Sequence, residues 1–110
     1  MGNKMTYRGQ GNRCGQATGF CVKARTPFSE GIPDEAIILL DHANAAAVVL
    51  LDRVSAVCVI HGGLTSHLAV ICTEMGLPFV TLEGQNSENI AGNWVRLDSE
   101  TGEVVPIMST

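Results

Sequence analysis

Seven consecutive residues, His61-Gly62-Gly63-Leu64-Thr65-Ser66-His67, gather the groups best placed to do chemistry in this chain. The apolar run LAVICTEM follows directly, so His67 stands at the predicted start of a helix. A helix start carries unpaired backbone N–H groups and the positive end of the macrodipole, and both favour an anion. A neutral imidazole nitrogen is nucleophilic near physiological pH. At such a place it can take a phosphoryl group and have the new negative charge stabilised by the backbone. Gly62 and Gly63 allow close backbone approach because no Cβ intervenes. Thr65 and Ser66 supply hydroxyls that can bind phosphoryl oxygens, orient the ring or cap the helix.

The elements that must hold these residues can be read from pattern. Val57–Ile60 is short, β-branched and apolar, which predicts a central strand aimed at Gly62 and Gly63. A helix is predicted over Ser66–Met75, with Thr65 or Ser66 as cap, Gly76 at the C′ position and Pro78 blocking continuation. Leu68, Ile71, Cys72 and Met75 recur at helical spacing and form its apolar face. Further strands are expected at about Phe20–Ala24, Ala36–Leu40 and Phe79–Thr81, and a terminal hairpin over Trp94–Leu97 and Val104–Ile107. Asn44 can cap a helix over Ala45–Arg53, although the valines there leave a strand open. Glu83–Glu88 reads as loop. Residues 1–10 are polar and aperiodic and form a flexible N-terminal segment, leaving 11–110 as a single mixed α/β domain.

GGLTSH, an apolar helix and then GLP resemble the GGxTSHxAIVARxxGxP signature of the phosphoenolpyruvate-utilising enzymes. That family includes pyruvate phosphate dikinase, phosphoenolpyruvate synthase, enzyme I of the sugar phosphotransferase system and rifampicin phosphotransferase. A weaker likeness runs from about Gly11 to about Val105. The resemblance implies a single swivelling β/β/α phosphohistidine domain. His67 would be the phosphoryl acceptor and donor with Thr65 assisting it, and Gly62, Gly63 and Ser66 would bind the phosphoryl group. It further implies a phosphoryl carrier, one component of a PEP synthase- or dikinase-like phosphotransferase, with no complete reaction from this chain alone. The expected partners are nucleotide-binding and PEP/pyruvate-binding domains or subunits. Mg2+, ATP or phosphoenolpyruvate would sit on those partners, and this domain would bind no cofactor. The chain departs from the signature at Leu68, Cys72, Thr73 and Leu82, and Thr73 removes the arginine of the motif helix. Leu68, Thr73 and Leu82 support an alternative, a degenerate swivelling domain acting as a binding or regulatory module.

Composition sets the outer bounds. At 110 residues the chain has room for one core, and its net charge of -4 provides no basic stripe for nucleic acid. No apolar run approaches the roughly 20 residues needed to span a bilayer, and no signal-peptide pattern opens the chain, so a cytoplasmic location is expected. The start fits a short myristoylation pattern, but so short a match is easily accidental and an ordinary N-terminus explains it better. Cys14, Cys21, Cys58 and Cys72 form no CxxC pair, so reduced thiols are expected, two of them in apolar segments. No metal site is expected: His61 with Cys58 or Cys72 matches no ligand spacing. His42, beside Asp41 at a strand end, reads as a solvated turn residue. The early glycines lack the Lys-Ser/Thr of an ATP-binding loop, which leaves a free-standing carrier or a domain cut from a larger enzyme. Native-looking boundaries at both ends favour the former.

Overall fold

A computed structural model describes residues 6–24 and 31–107 of the chain. Eight strands form one mixed sheet: β1 (Tyr7–Arg8), β2 (Gln10–Gly11), β3 (Gln16–Lys23), β4 (Ala36–His42), β5 (Val54–His61), β6 (Phe79–Thr81), β7 (Trp94–Asp98) and β8 (Glu103–Pro106). Their spatial order is β1-β8-β7-β3-β4-β5-β6-β2. The segment β3-β4-β5-β6 is parallel, and every other pairing is antiparallel. The two edge strands, β1 and β2, are separated in sequence only by Gly9, so the sheet curls round until its edges meet.

Central parallel strands are covered on both faces, and β4 and β5 accordingly read as nearly unbroken apolar runs. Their alternate residues divide between two clusters. Ile38, Leu40, Val57 and Val59 face one way, towards helix α1 (His67–Met75) and a 3-10 helix at Ala45–Leu50. Ile37, Leu39, Cys58 and Ile60 face the inside of the curl, where Val80, Leu82, Ile90, Val95, Leu97 and Val104 meet them.

The expected α/β class holds, and β6 and the β7–β8 hairpin fall where the pattern places them. Three differences have physical causes. Tyr7–Arg8 and Gln10–Gly11 lie within the segment expected to be a loose end, yet they pair with β8 and β6. Two-residue strands carry no periodicity, and the buried ring of Tyr7, whose hydroxyl donates to Asn89 Oδ1 at 2.7 Å, anchors them. Met1–Met5 of that segment lie outside the described residues. The helix expected over Ala45–Arg53 is a shorter 3-10 helix; Asn44 does cap it, accepting from Ala46 N–H at 2.9 Å. Its β-branched valines resist α-helix, and β5 already begins at Val54. Strand β3 starts four residues before the expected Phe20, because its first half pairs with β7 and only its second half with β4.

Candidate functional site

The route from β5 into α1 builds the site. His61 ends the strand, Gly62 and Gly63 turn the chain, and Ser66 N–H donates to Gly63 O at 3.1 Å to close the turn. Ser66 then caps α1: its side chain accepts from Ala69 N–H at 3.2 Å while Val70 N–H donates to its carbonyl at 3.0 Å. His67 is the first helical residue and is exposed. Thr65, Gly62 and Gly63 are exposed beside it. At the far end Gly76 adopts a left-handed φ of 72° and its N–H returns to Thr73 O, which is the C′ role expected of it.

The two glycines differ in kind. Gly62 has φ +120°, and a Cβ there would lie 2.6 Å from Ala43 Cβ. Gly63 has no atom within 4 Å of the corresponding point, so its backbone is open to an approaching group. A depression of about 240 Å3 adjoins the pair and is lined by His61, Gly62, Gly63, Thr81, Glu83 and, from β2, Gln10. The structure therefore gathers Gly62 and Gly63 around a cavity with His61. It sets His67 and Thr65 on the open surface, with half-buried Ser66 between them, further along the chain. Ser66 already spends its hydroxyl oxygen on the helix cap.

The departures from the signature have structural occupations. Leu68 is fully buried in the cluster beneath α1, so it neither shields the His67 ring nor offers a docking surface. Leu82 is equally buried, inside the curl. Thr73 Oγ1 donates to Ala69 O at 2.9 Å and accepts from Asn12 Nδ2 at 3.2 Å. Asn12 also donates to Leu77 O and accepts from Phe79 N–H, so its side chain bolts the N-terminal segment to the end of α1 and the start of β6.

A model of the family "PEP-utilising enzyme, mobile domain" matches residues 32–102, which include the whole route from β4 through α1 to β7. The chain belongs to this family of mobile domains. Among solved structures, this mobile domain is similar to one described as the N-terminal domain of Enzyme 1 - Nitrogen, with a TM-score of 0.61 and 24% identity. The likeness covers 70% of this chain and 34% of that one. It is also similar in fold to the microcin C7 self-immunity protein MccF, solved with aspartyl sulfamoyl adenosine, with a TM-score of 0.56 and 11% identity over 97% of this chain and 41% of that one. The mobile domain thus spans well under half the length of either structure. No curated protein matches it significantly. No helix among its described residues is long and apolar enough to cross a membrane.

Sequence reasoning missed one feature beside the site. His42 and His61 end adjacent parallel strands in register, and their rings stack with centroids 5.1 Å apart and planes inclined by 24°. The available signal was a histidine closing each of two apolar runs. His42 is the last residue of β4 and exposed, at the strand end where the sequence places it, and within the strand rather than in a turn; its aromatic neighbour is what sequence reasoning missed. Cys58 and Cys72 lie in different clusters on opposite faces of the sheet, which separates them as partners for His61. Burial pushes the Cys21 and Cys72 thiols up to about 12 and raises Cys58 further.

Proposed function

We propose that this mobile domain carries a phosphoryl group on His67 between partner components of a phosphotransferase. The observation that supports the reading is the placement of His67: an exposed imidazole at the first position of a side-chain-capped helix, inside the segment matched by the family. There the uncommitted N–H groups of the first turn and the helix dipole favour the charge that arrives with the phosphoryl group. Transfer of such a group depends mainly on positioning and electrostatic stabilisation, which a rigid strand–turn–helix unit supplies. Gly63 offers open backbone on the approach, and Thr65 an exposed hydroxyl. Nucleotide, phosphoenolpyruvate and Mg2+ belong, in this reading, to partner domains or subunits, and the setting is cytoplasmic.

The degenerate-module alternative rests on Leu68, Thr73 and Leu82. Packing accounts for Leu68 and Leu82, and hydrogen bonding for Thr73, so these substitutions fit a repacked carrier as well as an inactive one.

Phosphoramidate, a small-molecule donor, tests the reading without a partner. Mapped by mass spectrometry, His67 should be phosphorylated about two- to fivefold faster than the other exposed histidines, as expected for a stabilisation of about 0.3–1 kcal/mol at a helix start. The label should be acid-labile and alkali-stable, and His67→Ala should remove it from that peptide while the protein stays folded. Equal labelling of His42, His61 and His67 would count against a tuned site. In a complete system with its donor, phosphorylation that persists in His67→Ala would overturn the assignment.

A further inference from the structure

We infer that the outer face of β3, β7 and β8 binds a zwitterionic small molecule, a free α-amino acid with an apolar side chain. The inference does not depend on phosphoryl chemistry: β4 separates these strands from β5, which leads to His67.

Strand alternation sets up the face. Val95, Leu97 and Val104 point into the curl, so Trp94, Arg96, Asp98, Glu103 and Val105 project from the other side. Gln16 of β3 joins them, paired with Asp98. Gln16, Arg96, Asp98, Glu103 and Val105 line a depression of about 240 Å3. Sites for drug-sized ligands measure roughly 300–1,000 Å3, so this one suits a molecule of amino-acid size.

The depression keeps its two signs of charge apart. Asp98 and Glu103 stand directly opposite each other on β7 and β8, and like charges so placed destabilise a sheet. Arg8 neutralises Glu103, whereas the Asp98 side chain receives only the neutral amide of Gln16 at 3.3 Å and Glu100 N–H at 2.8 Å. Arg96 lies two residues along β7, exposed, between Thr18 and Val105. Its guanidinium makes no hydrogen bond or ion pair with a described residue. Two residues of strand span about 6.6 Å, a gap that the long arginine side chain can close. An ammonium can therefore donate to the opposed carboxylates while the carboxylate of the same molecule takes paired bonds from Arg96. Val105 in the lining and Trp94, 53% exposed one step along the same face, offer apolar surface to the ligand's side chain.

A second copy of the chain is a poorer occupant. The face spans at most four strands by five residues, roughly 300 Å2, against about 800 Å2 per partner in a stable interface.

Isothermal titration and heteronuclear NMR of the full chain with L-leucine test this. One molecule should bind per chain, with shifts centred on the five lining residues. Fluorescence of Trp94, the single tryptophan, should follow the same curve. Leucinamide lacks the carboxylate and isocaproate lacks the ammonium, so each should bind about tenfold more weakly or worse. Arg96→Gln should weaken leucine binding by a similar factor. So should Asp98→Asn, which keeps an oxygen for Glu100 N–H and removes the like-charge opposition. Its melting temperature should therefore hold or rise, whereas loss of a structural carboxylate would lower it. Glu74→Gln, on α1, should change nothing. No saturation by about 10 mM leucine, ten times a Kd of about 1 mM, would overturn the inference. Equal affinity for either one-charge analogue, or binding that survives Arg96→Gln and Asp98→Asn, would do so too.

Discussion

Replacing Gly62 by alanine separates two roles that adjacent glycines share in the sequence. At φ +120° an L-residue is strained, at a cost of about 1–3 kcal/mol. The added methyl would also stand 2.6 Å from Ala43 Cβ, an overlap that costs about 1–3 kcal/mol to relieve in a packed setting. Together these give a destabilisation of about 2–6 kcal/mol, a large share of the roughly 5–15 kcal/mol that holds an ordinary domain. Gly63→Ala meets nothing within 4 Å and has no left-handed φ, so its stability should stay within about 0.5 kcal/mol of wild type. Urea unfolding at 25 °C reads the contrast. With a slope of about 1–2 kcal/mol per molar urea, the Gly62→Ala midpoint should fall by about 1–6 M and that of Gly63→Ala should barely move. Ala43→Gly in the Gly62→Ala background should return the steric share and leave the strain, giving a coupling of about 1–3 kcal/mol in the double-mutant cycle. If Gly62→Ala and Gly63→Ala unfold together, the turn is not held as described. Absence of coupling to Ala43 would show that the methyl finds room elsewhere.

Truncation of fully buried Leu68 to alanine should cost about 2–5 kcal/mol in the same unfolding assay, whereas replacement of its exposed neighbour His67 should cost little. Ser66→Ala removes the hydroxyl that accepts from Ala69 N–H and should cost about 1 kcal/mol, measurable as a lowered melting temperature. Native alkylation with iodoacetamide at pH 8, followed by mass spectrometry, should modify half-buried Cys14 first and spare Cys21, Cys58 and Cys72. Those three thiols are held neutral well above their unfolded range, and Lys23 is held charged by Glu88 and Asp41 above the usual lysine range. Folded pKa values above the unfolded ones mean that the folded state keeps protons which the unfolded chain releases. That part of the stability is intact below about pH 8.5 and should decline steadily as pH rises towards 12, seen as falling urea midpoints.

Much of the architecture is legible locally because its causes are local. Ser66, Gly76 and Pro78 bound α1 through capping and backbone preference, and these act between residues close in sequence. The apolar runs at Ala36–Leu40 and Val57–Ile60 mark central strands because burial on both faces leaves no polar alternation. The order of His61, two glycines, two hydroxyls and His67 likewise fixes which groups sit at the mouth of the helix. Tertiary structure decided what depends on distant partners. Tyr7–Arg8 and Gln10–Gly11 become strands only because β8 and β6 offer them unpaired edges. Ala43, 19 residues before Gly62 in sequence, is what makes that glycine sterically obligatory. Leu68 and Leu82 are departures in the signature but core residues in the fold. His42 and His61 become neighbours only through the parallel register of β4 and β5. Hydrogen-bond propensity and hydrophobic period are written along the chain, whereas close approach across a sheet exists only once the strands have paired.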